Sequence, residues 1–205
     1  MTLLLSLLIF FFAVIIHEYA HGWVAWKLGD PTARFMGRLT LNPFAHIDPI
    51  GTIFLPLILI MTHSPILFGW AKPVPVDFFN LNNPKRDMIW VGLAGPAANI
   101  IFAIALSLLL KIPLLIASYF AVSVITTAIM ANLVLAVFNL LPIPPLDGSR
   151  VMTGLLPYNL GLEYSKIEPY GFIIIFVLLW LGAINTIIWP VVIVLARLLG
   201  VNFGI

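Results

Sequence analysis

Leu3-Leu4-Leu5-Ser6-Leu7-Leu8-Ile9-Phe10-Phe11-Phe12-Ala13-Val14-Ile15-Ile16-His17-Glu18-Tyr19-Ala20-His21 is an apolar run that closes on three ionisable residues within five positions. From Leu3 to Ile16 its only polar member is Ser6. A run of this kind reads as the start of a membrane-crossing helix, which needs roughly 20 predominantly apolar residues. On that helix His17 and His21 lie four residues apart, on one face and one turn from each other. Two imidazoles so placed can share a zinc ion. Glu18, about 100° further round, flanks the metal and is placed to accept a proton from water. Charged groups inside a bilayer cost roughly 2.5–3.5 kcal/mol each on insertion scales, and they mark function where they occur.

The rest of the chain agrees with a membrane setting. Of 205 residues, 62% are hydrophobic and 9% charged, and the mean hydropathy is +1.12. Soluble domains carry about 25% charged residues, so a soluble globular protein is excluded. The net charge is +2, from scattered Lys and Arg with no basic run, which argues against nucleic acid as a partner. The chain has no cysteine, which removes disulfides and thiolate metal sites. The first sixteen residues lack the basic start and small-residue cleavage site of a signal peptide, so they read as a retained helix.

Hydropathy and punctuation give an all-α polytopic membrane protein, one transmembrane domain over residues 1–205. The first helix runs from about Leu3 to Leu28 and ends at Gly29-Asp30-Pro31. Residues 49–71 hold no Asp, Glu, Lys or Arg and are broken by Pro56, Pro65 and Gly69. Lys72-Pro73-Val74-Pro75-Val76 forms a short extended loop. A second long helix spans about Met88 to Leu110, and a third about Ile116 to Leu141 after a turn at Lys111-Ile112-Pro113. A short amphipathic stretch follows Asp147 and reaches Pro157, closing a core of about 3–157. The apolar C-terminal region, 165–200, reads either as one long tilted helix or as a tight hairpin at Gly182–Asn185.

A catalytic zinc takes three protein ligands and keeps one position open. Asp147 is the candidate third ligand. It is the only acidic residue between Asp87 and Glu163, it follows the broken end of an apolar helix, and Gly148 beside it relieves crowding. Taken alone, Pro-Leu-Asp-Gly reads more often as a turn with Asp as a helix cap, and its pairing with the His17–His21 motif is what raises Asp147 to a ligand candidate. His46 and Asp48 form a second His/Asp pair, read first as an interfacial turn with a capping Asp.

Three segments together resemble the site-2 protease family of intramembrane zinc metalloproteases. They are His17-Glu18-Tyr19-Ala20-His21, Gly95-Pro96-Ala97-Ala98-Asn99, and Asn139-Leu140-Leu141-Pro142-Ile143-Pro144-Pro145-Leu146-Asp147-Gly148, in the family's order. The resemblance implies a three-helix catalytic core, one zinc ion on His17, His21 and Asp147, and Glu18 as general base. It implies cleavage of a substrate's transmembrane segment. It also sets Asn99 and Asn139 near the site, as residues that hold the substrate backbone or oxyanion, or as interhelical hydrogen-bonding groups. The chain shows none of the PDZ or CBS insertions of larger members, which leaves an adaptor or a homo-oligomer as open questions of regulation.

Depth and charge constrain the topology. A zinc beside Tyr19 sits ~14 Å from the helix end at 1.5 Å per residue, and Asp147 must reach that depth from the same side. This works only if residues 50–71 are re-entrant. With that segment re-entrant and a hairpin at the C-terminus, nine of the ten basic residues fall on the cytoplasmic side, leaving Lys111 outside. The expectation is a multi-pass protein of a prokaryotic cell membrane, its site nearer the cytoplasm, with lipid and a substrate's transmembrane segment as partners. The extended loop 72–76 then borders the site, where it can add a strand to an unwound substrate or serve as plain surface. The rival reading is a membrane metal transporter or metal-binding protein, in which Glu18 is itself a ligand. A structural protein with a vestigial site is a third.

Overall fold

The computed structural model describes residues 3–63 and 69–201. The first helix, α1, spans Leu3–Lys27. Its exit is set by Gly29, whose φ of +111° lies outside the range most side chains adopt. A four-residue helix, α2 (Thr32–Phe35), follows. Next comes a turn in which Asp48 accepts from the N–H groups of Ile50 and Gly51. That is the capping role expected for Asp48. His46 is fully buried and points Nε2 at the Thr40 carbonyl, 2.8 Å away.

Asp48 opens a six-residue π-turn, Pro49–Phe54, that runs into the seven-residue α3, Leu55–Met61. Together they reach about 20 Å, short of the ~30 Å hydrocarbon core. The chain then comes back. The Trp70 N–H donates to the Gly51 carbonyl at 3.1 Å, and the Thr52 hydroxyl donates to the Trp70 carbonyl at 2.8 Å. Both ends of the segment therefore lie side by side, as a re-entrant element requires. The break expected at Pro65 lies outside the described residues.

The second long helix, α4, spans Pro84–Leu109 and starts four residues earlier than expected. Pro84 suits its first turn, and the Asp87 carboxylate accepts from the Asn83 N–H at 2.8 Å. After a one-turn α5 (Pro113–Ile116), α6 spans Tyr119–Asn139, with the Ser118 hydroxyl as its cap. α1, α4 and α6 are each long and apolar enough to cross a membrane, and they pack on one another. Their outer faces carry exposed Leu4, Phe12, Ile101, Leu108 and Phe120, where lipid replaces a protein partner.

α7 (Asp147–Leu155) lies along α4. Its approach depends on two glycines. A Cβ on Gly92 would meet the Asp147 carbonyl at 3.1 Å, and one on Gly148 would meet the Leu140 carbonyl at 2.3 Å. After α8 (Tyr158–Ser165) come α9 (Gly171–Trp180) and α10 (Ala183–Leu198). Ile184, Ile188 and Val192 of α10 join Ile129, Leu133 and Val137 of α6 in the main apolar core. The C-terminal region is two helices rather than one, meeting at the Gly182 turn named in the second of the two expected forms. Its two arms are bent by 78°, and the break falls at Leu181-Gly182, with Gly182 at a φ of +71°. Among the described residues there are no strands, and the protein is an all-helical polytopic membrane protein.

Candidate active site

α1 brings His17 and His21 to the face that meets α4, and α7 presents Asp147 to the same point. His17 Nε2 and His21 Nε2 stand 2.9 and 3.2 Å from the same oxygen, Asp147 Oδ2. One ligand atom from each of the three residues fits within a 4.8 Å span. Glu18 is not part of this trio.

The opposite edge of each imidazole is also occupied. His17 Nδ1 lies 2.6 Å from Asn99 Oδ1, and His21 Nδ1 lies 2.7 Å from the Val91 carbonyl. Both partners only accept, so each ring carries its proton on Nδ1 and turns an Nε2 lone pair toward Asp147. Two neutral lone pairs facing one carboxylate oxygen repel unless a cation lies between them. The donor set therefore fits a divalent metal with nitrogen and oxygen ligands.

Gly95 supplies the space. A Cβ there would lie 2.4 Å from His21 Nε2 and 2.5 Å from His17 Nε2. The first residue of Gly95-Pro96-Ala97-Ala98-Asn99 is thus the floor beneath the two rings, and the last is the group behind His17. Asn99 is fully buried, and its Nδ2 donates to the Ala13 carbonyl at 3.0 Å and to Asn132 Oδ1 at 2.7 Å. Of the two readings open for Asn99, interhelical hydrogen bonding fits this placement and a direct substrate or oxyanion contact does not, since Asn99 is buried and absent from the cavity lining. Asn132, expected as interhelical glue, does join α4 to α6. Asn139 sits at the cavity edge, its Nδ2 donating to the Leu135 carbonyl at 3.0 Å.

The cavity holds about 220 Å³, and His17, Glu18, His21, Asn139, Asp147 and Arg150 line it together with the loop residues Pro73, Val74 and Val76. Glu18 is half-buried, and its Oε2 accepts from the Val74 N–H at 2.8 Å. The loop expected beside the site is there, but much of its backbone is already engaged. The Lys72 N–H donates to the His46 carbonyl, while Arg38 Nη2 donates to the carbonyls of Lys72 and Pro73. Further along, buried Asp30 accepts from the Asp77 N–H at 2.7 Å and from Thr32 and Asn80. Burial pushes the Asp30 carboxyl up, and the Thr32, Asp77 and Asn80 donors more than offset it, leaving it below the ordinary value. Arg38 and Asp30 had no role assigned from the sequence, and Gly95 stood there only as the first residue of a motif. The run Gly29-Asp30-Pro31 signalled only a helix end.

The sequence profile of Peptidase family M50 matches residues 5–116 and 113–182, most of the chain. The chain belongs to peptidase family M50. The chain is also similar to bacterial and archaeal proteins. One is a Bacillus subtilis protein described as a candidate zinc metalloprotease, YwhC. It is 40% identical over 85% of this chain and 79% of its own length. The Mycobacterium tuberculosis protein Rip2, described in the same terms, is 32% identical over 91% of this chain and 71% of its own length. The zinc metalloprotease MJ0392 of Methanocaldococcus jannaschii is 25% identical over 78% of this chain and 37% of its own length. No solved structure matches the chain. The M50 match runs through all three motif segments, so the family's peptidase chemistry and this cavity fall in the same stretch of chain.

Proposed function

We propose that this M50 peptidase is a zinc-dependent endopeptidase that hydrolyses a peptide bond in or near a transmembrane segment of a membrane-protein substrate. One observation carries the reading. The Nε2 atoms of two histidines and one carboxylate converge on a cavity that also holds Glu18, and the helix bearing three of these four residues is flanked by lipid-facing apolar side chains. The names of the relatives point to zinc.

His17, His21 and Asp147 would hold the ion. Zinc bound there supplies a Lewis acid for the scissile carbonyl and lowers the pKa of water to about 7. Glu18 accepts the proton as the water oxygen bonds to the carbonyl carbon. The same carboxyl then gives that proton to the amide nitrogen, which leaves as an amine when the C–N bond breaks. Asn99 keeps His17 in the required tautomer. Asn139 faces the substrate and holds its backbone or the developing oxyanion.

A peptide bond inside a helix is shielded by its own hydrogen bonds, so the substrate must unwind to enter the cavity. Chains with helix-weakening residues near the cut are favoured. Lys27, Arg34, Arg38 and Lys72 lie toward the cavity's end of the chain's spans, and by the positive-inside rule this supports a site nearer the cytoplasm of a prokaryotic cell membrane.

The test is cleavage of transmembrane peptides by the chain reconstituted in liposomes, before and after zinc removal with phenanthroline. Loss on chelation and return with zinc is expected. Cleavage that persists without metal would overturn the reading. So would movement of zinc across the vesicle wall by a chain that cleaves nothing, which would support a transporter.

A further inference from the structure

Arg38 lies outside the catalytic group, in the connection after α2, yet it is buried. Among the described residues its guanidinium meets no carboxylate, and its Nε has no partner. A buried cation without a counter-charge is costly unless its hydrogen bonds compensate. Here the bonds are two, from Nη2 to the Lys72 carbonyl at 2.8 Å and to the Pro73 carbonyl at 3.2 Å.

The second bond matters because of what shares its peptide group. The Pro73 carbonyl and the Val74 N–H belong to one trans peptide unit, so they point in opposite directions. Arg38 binds the oxygen end, and the N–H end donates to Glu18 Oε2 at 2.8 Å. A single peptide dipole is thus held between a cation and an anion, in the orientation that strengthens both hydrogen bonds. The Val74 side chain locks the register. It packs on Gly22, four residues along α1 from Glu18, where an added Cβ would come within 2.7 Å of Val74 Cγ1.

We propose that Arg38 is a positioning residue for the reaction, acting through the Pro73–Val74 peptide group to hold the Glu18 carboxylate where it takes its proton. This rests on the reading of Glu18 as the general base. A purely structural Arg38 would need only to anchor the loop. Its grip on the one peptide group that also touches Glu18 gives it a second consequence.

Pro73 and Pro75 carry no N–H, so the amides of 72–76 are those of Lys72, Val74 and Val76. Hydrogen exchange of that peptide, measured on the zinc-loaded full chain in detergent, therefore reports the contact directly. In Arg38→Ala we expect exchange there to speed up by about tenfold or more, with zinc content unchanged. Cleavage of a Leu-Ala transmembrane peptide with a central Gly-Pro break should lose about tenfold or more in kcat with KM held within about twofold. Arg38→Lys, which can still reach one carbonyl, should recover part of both.

Unchanged protection of residues 72–76 in Arg38→Ala would overturn the proposal. So would a released loop with undiminished kcat. Should Arg38→Ala lose protection throughout α4 and α6, the same two readouts in Arg38→Lys decide. Glu18→Ala separates this proposal from the reading beneath it. Faster exchange at Val74 there supports the contact whether or not Glu18 proves to be the base, and unchanged exchange removes it.

Discussion

One side of the cavity is built from side chains and the other from backbone. On the helix side, His17 and His21 are each held at Nδ1, by Asn99 or the Val91 carbonyl, with Nε2 turned toward Asp147. On the loop side, Lys72 to Val74 are held by main-chain groups that answer to His46, Arg38 and Glu18. The two sides fail differently. A helix-side change moves a ligand that has one permitted position, and zinc affinity reports it. A loop-side change releases a segment and leaves the ligands alone, and rate or stability reports that.

The largest effect on zinc binding, short of removing a ligand, is expected at Asn99. Asn99→Ala leaves His17 Nδ1 without its acceptor and should weaken zinc binding by about 10–100-fold, measured by competition with a chelator. Next is Gly95→Ala. The added methyl falls on both rings, so a cost of about 1–3 kcal/mol in stability is expected, together with a loss of zinc affinity that a remote Gly→Ala on α4 does not share. If Gly95→Ala binds zinc normally, the floor of the site is softer than its packing indicates.

The smallest effect is expected at Asp30, and it should spare zinc. Because the folded Asp30 carboxyl titrates below its ordinary value, its contribution is present above that value and is lost as pH falls through the lower, folded one. Asp30→Asn should therefore lower thermal stability by about 1 kcal/mol at neutral pH, with the gap to wild type closing in acid. A gap that widens in acid would reverse the sign and remove Asp30 as the anchor of the 77–80 turn. Zinc loss in Asp30→Asn would blur the distinction between the two sides.

This division also explains what the sequence made legible. The helix side follows local rules. An i, i+4 pair on an apolar helix and a lone acidic residue after a proline break each leave a pattern in a few adjacent letters, and the Gly95–Asn99 segment is picked out by its resemblance to the family. α1, α4 and α6 were legible for the same reason, by long uncharged stretches ended by Gly or Pro. The loop side joins Arg38 to Lys72 and Asp30 to Asp77 through carbonyls and N–H groups that every residue possesses. No residue type announces such a contact, so only its coordinates reveal it. Asn99 shows the boundary. Its nearness to the site was readable, but its burial behind His17 depended on how α1 and α4 pack. The 78° bend before α10 is a similar case, since Gly182 marked a break without giving its angle.

The most direct test of the account separates zinc binding from proton transfer at Glu18. Glu18→Gln should be assayed alongside wild type for zinc content and for single-turnover cleavage of a transmembrane peptide in liposomes. The account predicts full zinc content with cleavage reduced by about 10²–10⁴-fold. Loss of zinc from the variant would make Glu18 a ligand, and undiminished cleavage would place the base elsewhere; either result contradicts the account.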